Sequence, residues 1–207
     1  MRRIFQGKLV TETQCLRCES KSCKEEGFLD LSLQITQNCS LSACLRQFSD
    51  VELLNKNDKY FCDTCCTLQE AQKRMIIKQP PNVLLLHLKR FEYVEQMGRM
   101  KKLPYRVAFP MQLRLSNVVG TDPGADALFD LTGVVVHMGS GPYHGHYVAL
   151  TKSQGQWIHF DDESVEPVPE STVLSTFGSA NDVPTSSGDF STCFVLMYVR
   201  TPSDWDT

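Results

Sequence analysis

Apolar and polar residues alternate along residues 4–11 and again along 28–35, the period of half-buried β-strands. After Ser40 the apolar set Leu41, Cys44, Leu45 and Phe48 falls at i, i+3, i+4 and i+7, which predicts a short one-faced helix capped by that serine and packed on a sheet. Residues 55–59 turn polar. Pro80-Pro81 then breaks the chain before Val83-Leu-Leu-Leu-His-Leu-Lys-Arg-Phe91, which is apolar on both faces and so belongs inside a sheet rather than at its edge. Residues 95–104 read as a basic, glycine-containing loop, 105–109 and 111–115 as short strands, and 118–127 as a surface loop. Four more strands are expected at 129–137, 146–151, 156–160 and 192–199, with a short helix at 171–177 and a mobile loop rich in Gly, Ser, Asn and Pro at 178–189. The pattern is that of an α+β chain whose later half is mainly β.

Composition narrows the function classes. With 207 residues, 42% of them hydrophobic and 22% charged, the chain can bury one good core. A net charge of -3 and a pI near 5.9 leave no clustered basic footprint, so no nucleic acid is expected as a partner. No run of about 18 apolar residues and no apolar stretch behind the first residues is present, so neither a membrane span nor secretion is expected. Nine cysteines in such a chain argue for metal binding or catalysis in the reducing cytoplasm and/or nucleus, not for a disulfide framework.

Cys15-Leu-Arg-Cys18 and Cys62-Asp-Thr-Cys65 are two Cys-x-x-Cys turns, each following a strand-like stretch. A two-residue gap lets both thiolates of a turn face one ion, and two such turns complete the closed tetrahedral set of one structural zinc. The 43 residues between them exceed the usual spacing, so the inserted strand and helix must fold back to join the turns. Two competing readings remain: unrelated turn cysteines or a redox pair, and replacement of one ligand by Cys23 or Cys66.

Residues 137–147 read His-Met-Gly-Ser-Gly-Pro-Tyr-His-Gly-His-Tyr, a glycine-rich loop ending at a strand that starts with His146. Residues 147–152 and 156–160 flank Ser-Gln-Gly and predict a hairpin whose cross-strand numbers sum to about 307 to 309. His146 then faces Asp161, Asp162 or Glu163. Opposed residues share a sheet face with Cβ atoms about 4.5–5.5 Å apart, within reach of an imidazole–carboxylate hydrogen bond. Such a pair fixes the tautomer of a general base and stabilises its imidazolium; the plainer reading is a surface cross-strand pair. His87, His137, His144 and His159 have no comparable partner in the sequence.

Taken together, Gly139 to Tyr147, Trp157-Ile-His-Phe-Asp-Asp162, Leu86-His-Leu-Lys-Arg-Phe91, the two cysteine turns and Cys193-Phe-Val-Leu-Met-Tyr198 resemble the ubiquitin-specific protease family, in the family's order and over nearly the whole chain. Cys65-Cys66, Gln69-Glu-Ala-Gln-Lys-Arg74 and Tyr105-Arg-Val-Ala-Phe-Pro110 most resemble its subfamily activated by a WD-repeat propeller protein. The resemblance implies the fingers and palm of a papain-like hand. Residues 4–79 would be zinc-binding fingers with adjoining palm, and 80–200 palm bearing the catalytic pair. It also implies ubiquitin and ubiquitinated proteins as partners, with a propeller activator, His146 as general base, Asp161 as its orienting partner and Asp162 as an accessory or substitute carboxylate. Residues 95–103 and 139–145 would close over the ubiquitin tail.

The family's Gly-Asn-Thr-Cys-Tyr nucleophile box does not occur in these residues. Cys193 lies in an apolar strand where burial makes a thiol inert, and Cys23, Cys39, Cys44 and Cys66 lack motif context. The expectation is therefore fingers and palm without thumb, from a thiol deubiquitinase and inactive by themselves. The alternative is a non-catalytic zinc module that binds ubiquitin or the propeller.

Overall fold

The computed structural model describes residues 2–115, 127–139, 141–179 and 191–201. In chain order the elements are α1 (Arg2–Phe5), β1 (Gly7–Cys15), β2 (Lys21–Phe28), β3 (Asp30–Leu33), β4 (Cys39–Ser40), α2 (Leu41–Phe48), β5 (Glu52–Leu54), β6 (Tyr60–Cys62), β7 (Thr67–Gln69), β8 (Ala71–Gln79) and β9 (Val83–Leu88). They continue with β10 (Phe91–Val94), β11 (Arg99–Lys102), β12 (Val107–Ala108), β13 (Gln112–Arg114), β14 (Leu128–Met138), β15 (His146–Ser153), β16 (Gln156–Asp161), β17 (Ser164–Val168), α3 (Glu170–Ser175) and β18 (Thr192–Arg200). No helix among the described residues is long and apolar enough to cross a membrane.

Two sheets carry the architecture. The small one runs β2-β1-β8-β5 and ends near the β6–β7 hairpin; the large one runs β17-β16-β15-β14-β18-β9-β3, with β13 paired to the start of β14. Every pairing in the large sheet is antiparallel except β3 with β9. As its two-faced apolarity requires, β9 lies inside, between β18 and β3. Its Leu84, Leu86 and Leu88 join Leu131, Val134, Val136, Leu150, Leu196 and Tyr198 in one core, onto which α2 lays Leu41, Cys44 and Leu45. The cap of α2 is the expected one: the Ser40 hydroxyl accepts from the Ala43 amide at 3.2 Å.

Several elements depart from the local pattern. The first strand begins at Gly7, because residues 2–5 form a helical turn. The expected strand at 28–35 is two elements, β2 ending at Phe28 and β3 starting at Asp30. The charged β2 and β8 gave no alternating signal; they are strands because both pair with β1 along its length. Likewise the basic stretch from residue 95 is a hairpin, β10 paired with β11 and only residues 95–98 at its tip. β17, also unforeseen, pairs with β16. The loops expected at 118–127 and 178–189 fall almost wholly outside the described residues.

The join between the sheet and its overlying loops is held by Arg90, which has no solvent exposure although it is charged. Its Nε donates to the Cys193 carbonyl at 2.5 Å, Nη1 to those of Leu103 (3.2 Å) and Tyr105 (2.8 Å), and Nη2 to that of Phe177 (3.4 Å). Its own carbonyl accepts from the Leu103 amide at 2.6 Å. A planar fork of five N–H donors is the one side chain that satisfies so many converging carbonyls.

Arg90→Met keeps the length and removes the donors. Each buried carbonyl left unsatisfied costs about 1–3 kcal/mol, so the variant should lose at least ~3 kcal/mol of unfolding free energy in urea. Arg90→Lys should recover only part of this, because a single ammonium cannot reproduce the fork. A loss below ~1 kcal/mol for the methionine variant would show that the carbonyls find other donors.

Candidate active site and cysteine cage

The β15–β16 hairpin closes around Gln154-Gly155, with partners such as Ser153 and Gln156, Thr151 and Ile158, and Ala149 and Phe160, all summing to 309. In strict register His146 would face Glu163. The pairing ends at Ala149 and Phe160, however, because β16 turns away through Asp162 and Glu163 into β17. Asp162 takes the left-handed backbone at φ 49° in that turn, a conformation Asp tolerates. Asp161 is thus the diagonal neighbour of His146 rather than the directly opposed one, and diagonal pairs remain within reach of long side chains.

His146 Nε2 lies 2.5 Å from Asp161 Oδ1. The ligand atoms of His146, Asp161 and Asp162 all fall within 4.8 Å of one another, so the structure brings together the three residues singled out from sequence. Both side chains of the close pair are about two-fifths exposed, 42% and 40%. The hydrogen bond to Asp161 holds the imidazole above its ordinary value of 6.5; partial desolvation opposes this, and the charges of Asp161 and Asp162 add to it. With Nε2 committed to the carboxylate, Nδ1 is the nitrogen left to take a proton from an attacking group.

The other histidines serve differently. His137 is 2% exposed, lies edge-on to Phe91 at 5.6 Å and against Tyr147 at 4.8 Å, and burial lowers its pKa. His87 packs edge-on against Phe194 at 4.5 Å. His159 does have a partner: Glu166, 3.6 Å away across the β16–β17 pairing.

The four cysteines named from sequence also converge, their Sγ atoms all within 4.8 Å of one another. Cys15 ends β1 and Cys62 ends β6, both buried, while Cys18 and Cys65 sit on the turns behind them. Four thiolates about 2.3 Å from one ion would stand about 3.8 Å apart, and Cys18 and Cys62 stand at 3.6 Å. The set can therefore hold a metal ion and is compatible with zinc. The Ser20 hydroxyl, absent from the sequence expectation, touches the sulfurs of Cys18 at 3.1 Å and Cys62 at 3.5 Å. Its hydrogen bond favours the Cys62 thiolate, down to about 6, while the bond to Cys18 pushes Cys65 up to about 12. Four thiols at one point cannot all ionise without a cation among them. Cys23 and Cys66 replace none of the four.

The ubiquitin carboxyl-terminal hydrolase family matches residues 1–198. This chain belongs to that family. It is similar to ubiquitin carboxyl-terminal hydrolase 4 of Arabidopsis thaliana, 56% identical over 196 residues that make up 95% of this chain and 52% of the relative. It is also similar to ubiquitin carboxyl-terminal hydrolase 46 of Caenorhabditis elegans, 51% identical over 179 residues, 86% of this chain and 42% of the relative. The chain spans about half the length of these curated relatives. Among solved structures, the SAGA Ubp8/Sgf11/Sus1/Sgf73 DUB module bound to ubiquitin aldehyde superposes with a TM-score of 0.80 at 30% identity, over 96% of this chain and 42% of that one. The same module bound to monoubiquitin gives a TM-score of 0.80 at 33% identity, covering 96% and 41%. The mainly antiparallel fold with few helices is thus a deubiquitinase fold.

The raised His146 pKa has a defined sign in stability. A group whose folded value exceeds its unfolded value adds stability that is fully present below the unfolded value and is lost as pH rises through the folded one. By ¹H–¹⁵N NMR, His146 should titrate above 6.5, and Asp161→Asn should bring its midpoint down. An unchanged midpoint in that variant would assign the shift to another group.

Proposed function

We propose that this chain is the C-terminal part of a thiol-dependent deubiquitinase, which hydrolyses the isopeptide bond at the ubiquitin C-terminus. The observation that carries this reading is the 2.5 Å contact between His146 and Asp161, set behind a glycine-rich loop in a chain of this family. Asp161 holds the Nε2–H tautomer, so Nδ1 accepts the proton of a cysteine thiol as the thiolate attacks the isopeptide carbonyl. The imidazolium then returns the proton to the departing lysine amine, and water releases ubiquitin. Asp162, exposed in the adjoining turn, adds negative charge beside the imidazolium. Residues 4–79 act as fingers with adjoining palm and 80–200 as the palm that carries the pair. The setting is the cytoplasm and/or nucleus.

The nucleophile would lie on another segment. Among the described residues no thiol is within hydrogen-bonding distance of His146: four cysteines form the cage, Cys44 and Cys193 are buried in the core, Cys39 adjoins Cys44 at 3.4 Å, Cys23 lies on β2 of the small sheet, and Cys66 bonds the Asp63 carbonyl at 3.3 Å. A polypeptide of these 207 residues should therefore leave a ubiquitin C-terminal fluorogenic substrate intact. Adding a family segment with the cysteine box, fused or in trans, should restore turnover. His146→Ala should then cost ~10²–10⁴-fold in kcat, and Asp161→Asn should cost more than Asp162→Asn. Restored activity that ignores His146 would overturn the catalytic reading. The alternative is a non-catalytic module whose fingers and palm bind ubiquitin or a WD-repeat propeller protein, and failure of every complementation together with retained ubiquitin binding would select it.

For the cage, the reading is one structural zinc bound by Cys15, Cys18, Cys62 and Cys65, without an open position and so without a catalytic role. Such sites contribute apparent free energies of about 10–16 kcal/mol, which couples metal binding to folding. Protein purified without added metal should contain one zinc per chain, and chelation or Cys62→Ser should lower the melting temperature. Metal-free protein with the same melting temperature would remove zinc from the fold.

A further inference from the structure

Lys102, the last residue of β11, is 4% exposed, yet its ammonium is not among the groups the catalytic reading uses. Nζ donates to the His137 carbonyl and to the Gly139 carbonyl, both at 2.8 Å. These carbonyls bracket Met138, the final residue of β14, and the register partner of Met138 on β15 is His146. The ammonium therefore grips the strand end against which the first residue of β15 is laid.

The far side of the same loop is fixed sterically. Gly139 and Gly145 have φ of 124° and 144°, conformations that disfavour any side chain. A Cβ on Gly145 would overlap the His137 ring, and one on Gly139 would stand 3.0 Å from Gly145 Cα. The loop base is thus closed by two touching glycines over a buried imidazole, with Lys102 beneath. A buried ammonium is tolerable only while its hydrogen bonds are made, so displacement of either carbonyl carries a steep penalty.

We propose that Lys102 is a positioning residue for the His146–Asp161 pair, and that its ammonium ties the end of the β10–β11 hairpin to the strand end beside His146. The proposal rests on the reading of His146 as general base. It deepens that reading by naming the side chain that holds the strand end against which His146 is laid. Lys102 is the register partner of Phe91 on β10, and the hairpin projects Tyr93 with 58% exposure. A ligand that presses on the hairpin would act on the base of the His146 loop through one side chain.

The test uses NMR on this chain and needs no turnover. The Lys102 Nζ resonance should respond to protonation of His146, with an inflection at the His146 midpoint. In His146→Ala, a change at a partly exposed position, that inflection should vanish while any response to His137 remains. Reciprocally, Lys102→Met should lower the His146 midpoint toward 6.5 and weaken its downfield imidazole proton, and Lys102→Arg should restore much of both. A Lys102 signal that stays flat through the His146 midpoint overturns the proposal even if Lys102→Met fails to fold. A folded Lys102→Met chain with an unaltered His146 midpoint and imidazole proton also overturns it. Loss of the catalytic reading would show separately, as restored turnover indifferent to His146→Ala with the Lys102 inflection intact.

Discussion

A guanidinium sealed from solvent holds the palm-like sheet to everything laid over it. Arg90 leaves the end of β9 and meets carbonyls from the start of β18, from the segment between β11 and β12, and from the turn after α3. These segments also bond one another: the Val107 amide reaches the Phe177 carbonyl at 2.8 Å and the Cys193 amide reaches that of Thr176 at 2.9 Å. The last two are too short to satisfy their own backbone as regular structure. A buried charge is costly, but here it replaces several unsatisfied carbonyls, each of which would be costly too.

The same device recurs near the His146–Asp161 pair, where the Lys102 ammonium holds the carbonyls of His137 and Gly139. Both cations act on backbone, not on carboxylates, and both sit where strands give way to loops. Rigid strands and pinned loop bases suit a pair that must keep a short hydrogen bond at a half-exposed site. The aromatic floor of Phe91, His137, Tyr147 and Phe194 extends that stiffness up to the residue beside His146.

At the other end of the molecule little apolar burial is available. β6 and β7 have three residues each, and their cross-strand pair Phe61 and Leu68 is more than half exposed on both sides. A hairpin this short has no core of its own. Four sulfurs that can hold a metal ion converge there instead, and the Ser20 hydroxyl touches two of them. The large sheet, by contrast, rests on burial.

Sequence by itself determined what depends on neighbours along the chain. The α2 stripe and its Ser40 cap, the interior character of β9, the β15–β16 turn and the two cysteine knuckles are all legible because each is fixed within about ten residues. The membership of His146, Asp161 and Asp162 in one cluster was legible for the same reason, since one hairpin joins them. Tertiary structure decided the rest. β2 and β8 are strands because β1 offers them a ladder, and β16 leaves β15 early because β17 draws it away, which makes Asp161 a diagonal partner. Nothing local marks Arg90 or Lys102 as buried: their partners lie 13 to 103 and 35 to 37 residues away, and a long cationic side chain sinks only where distant carbonyls converge to receive it.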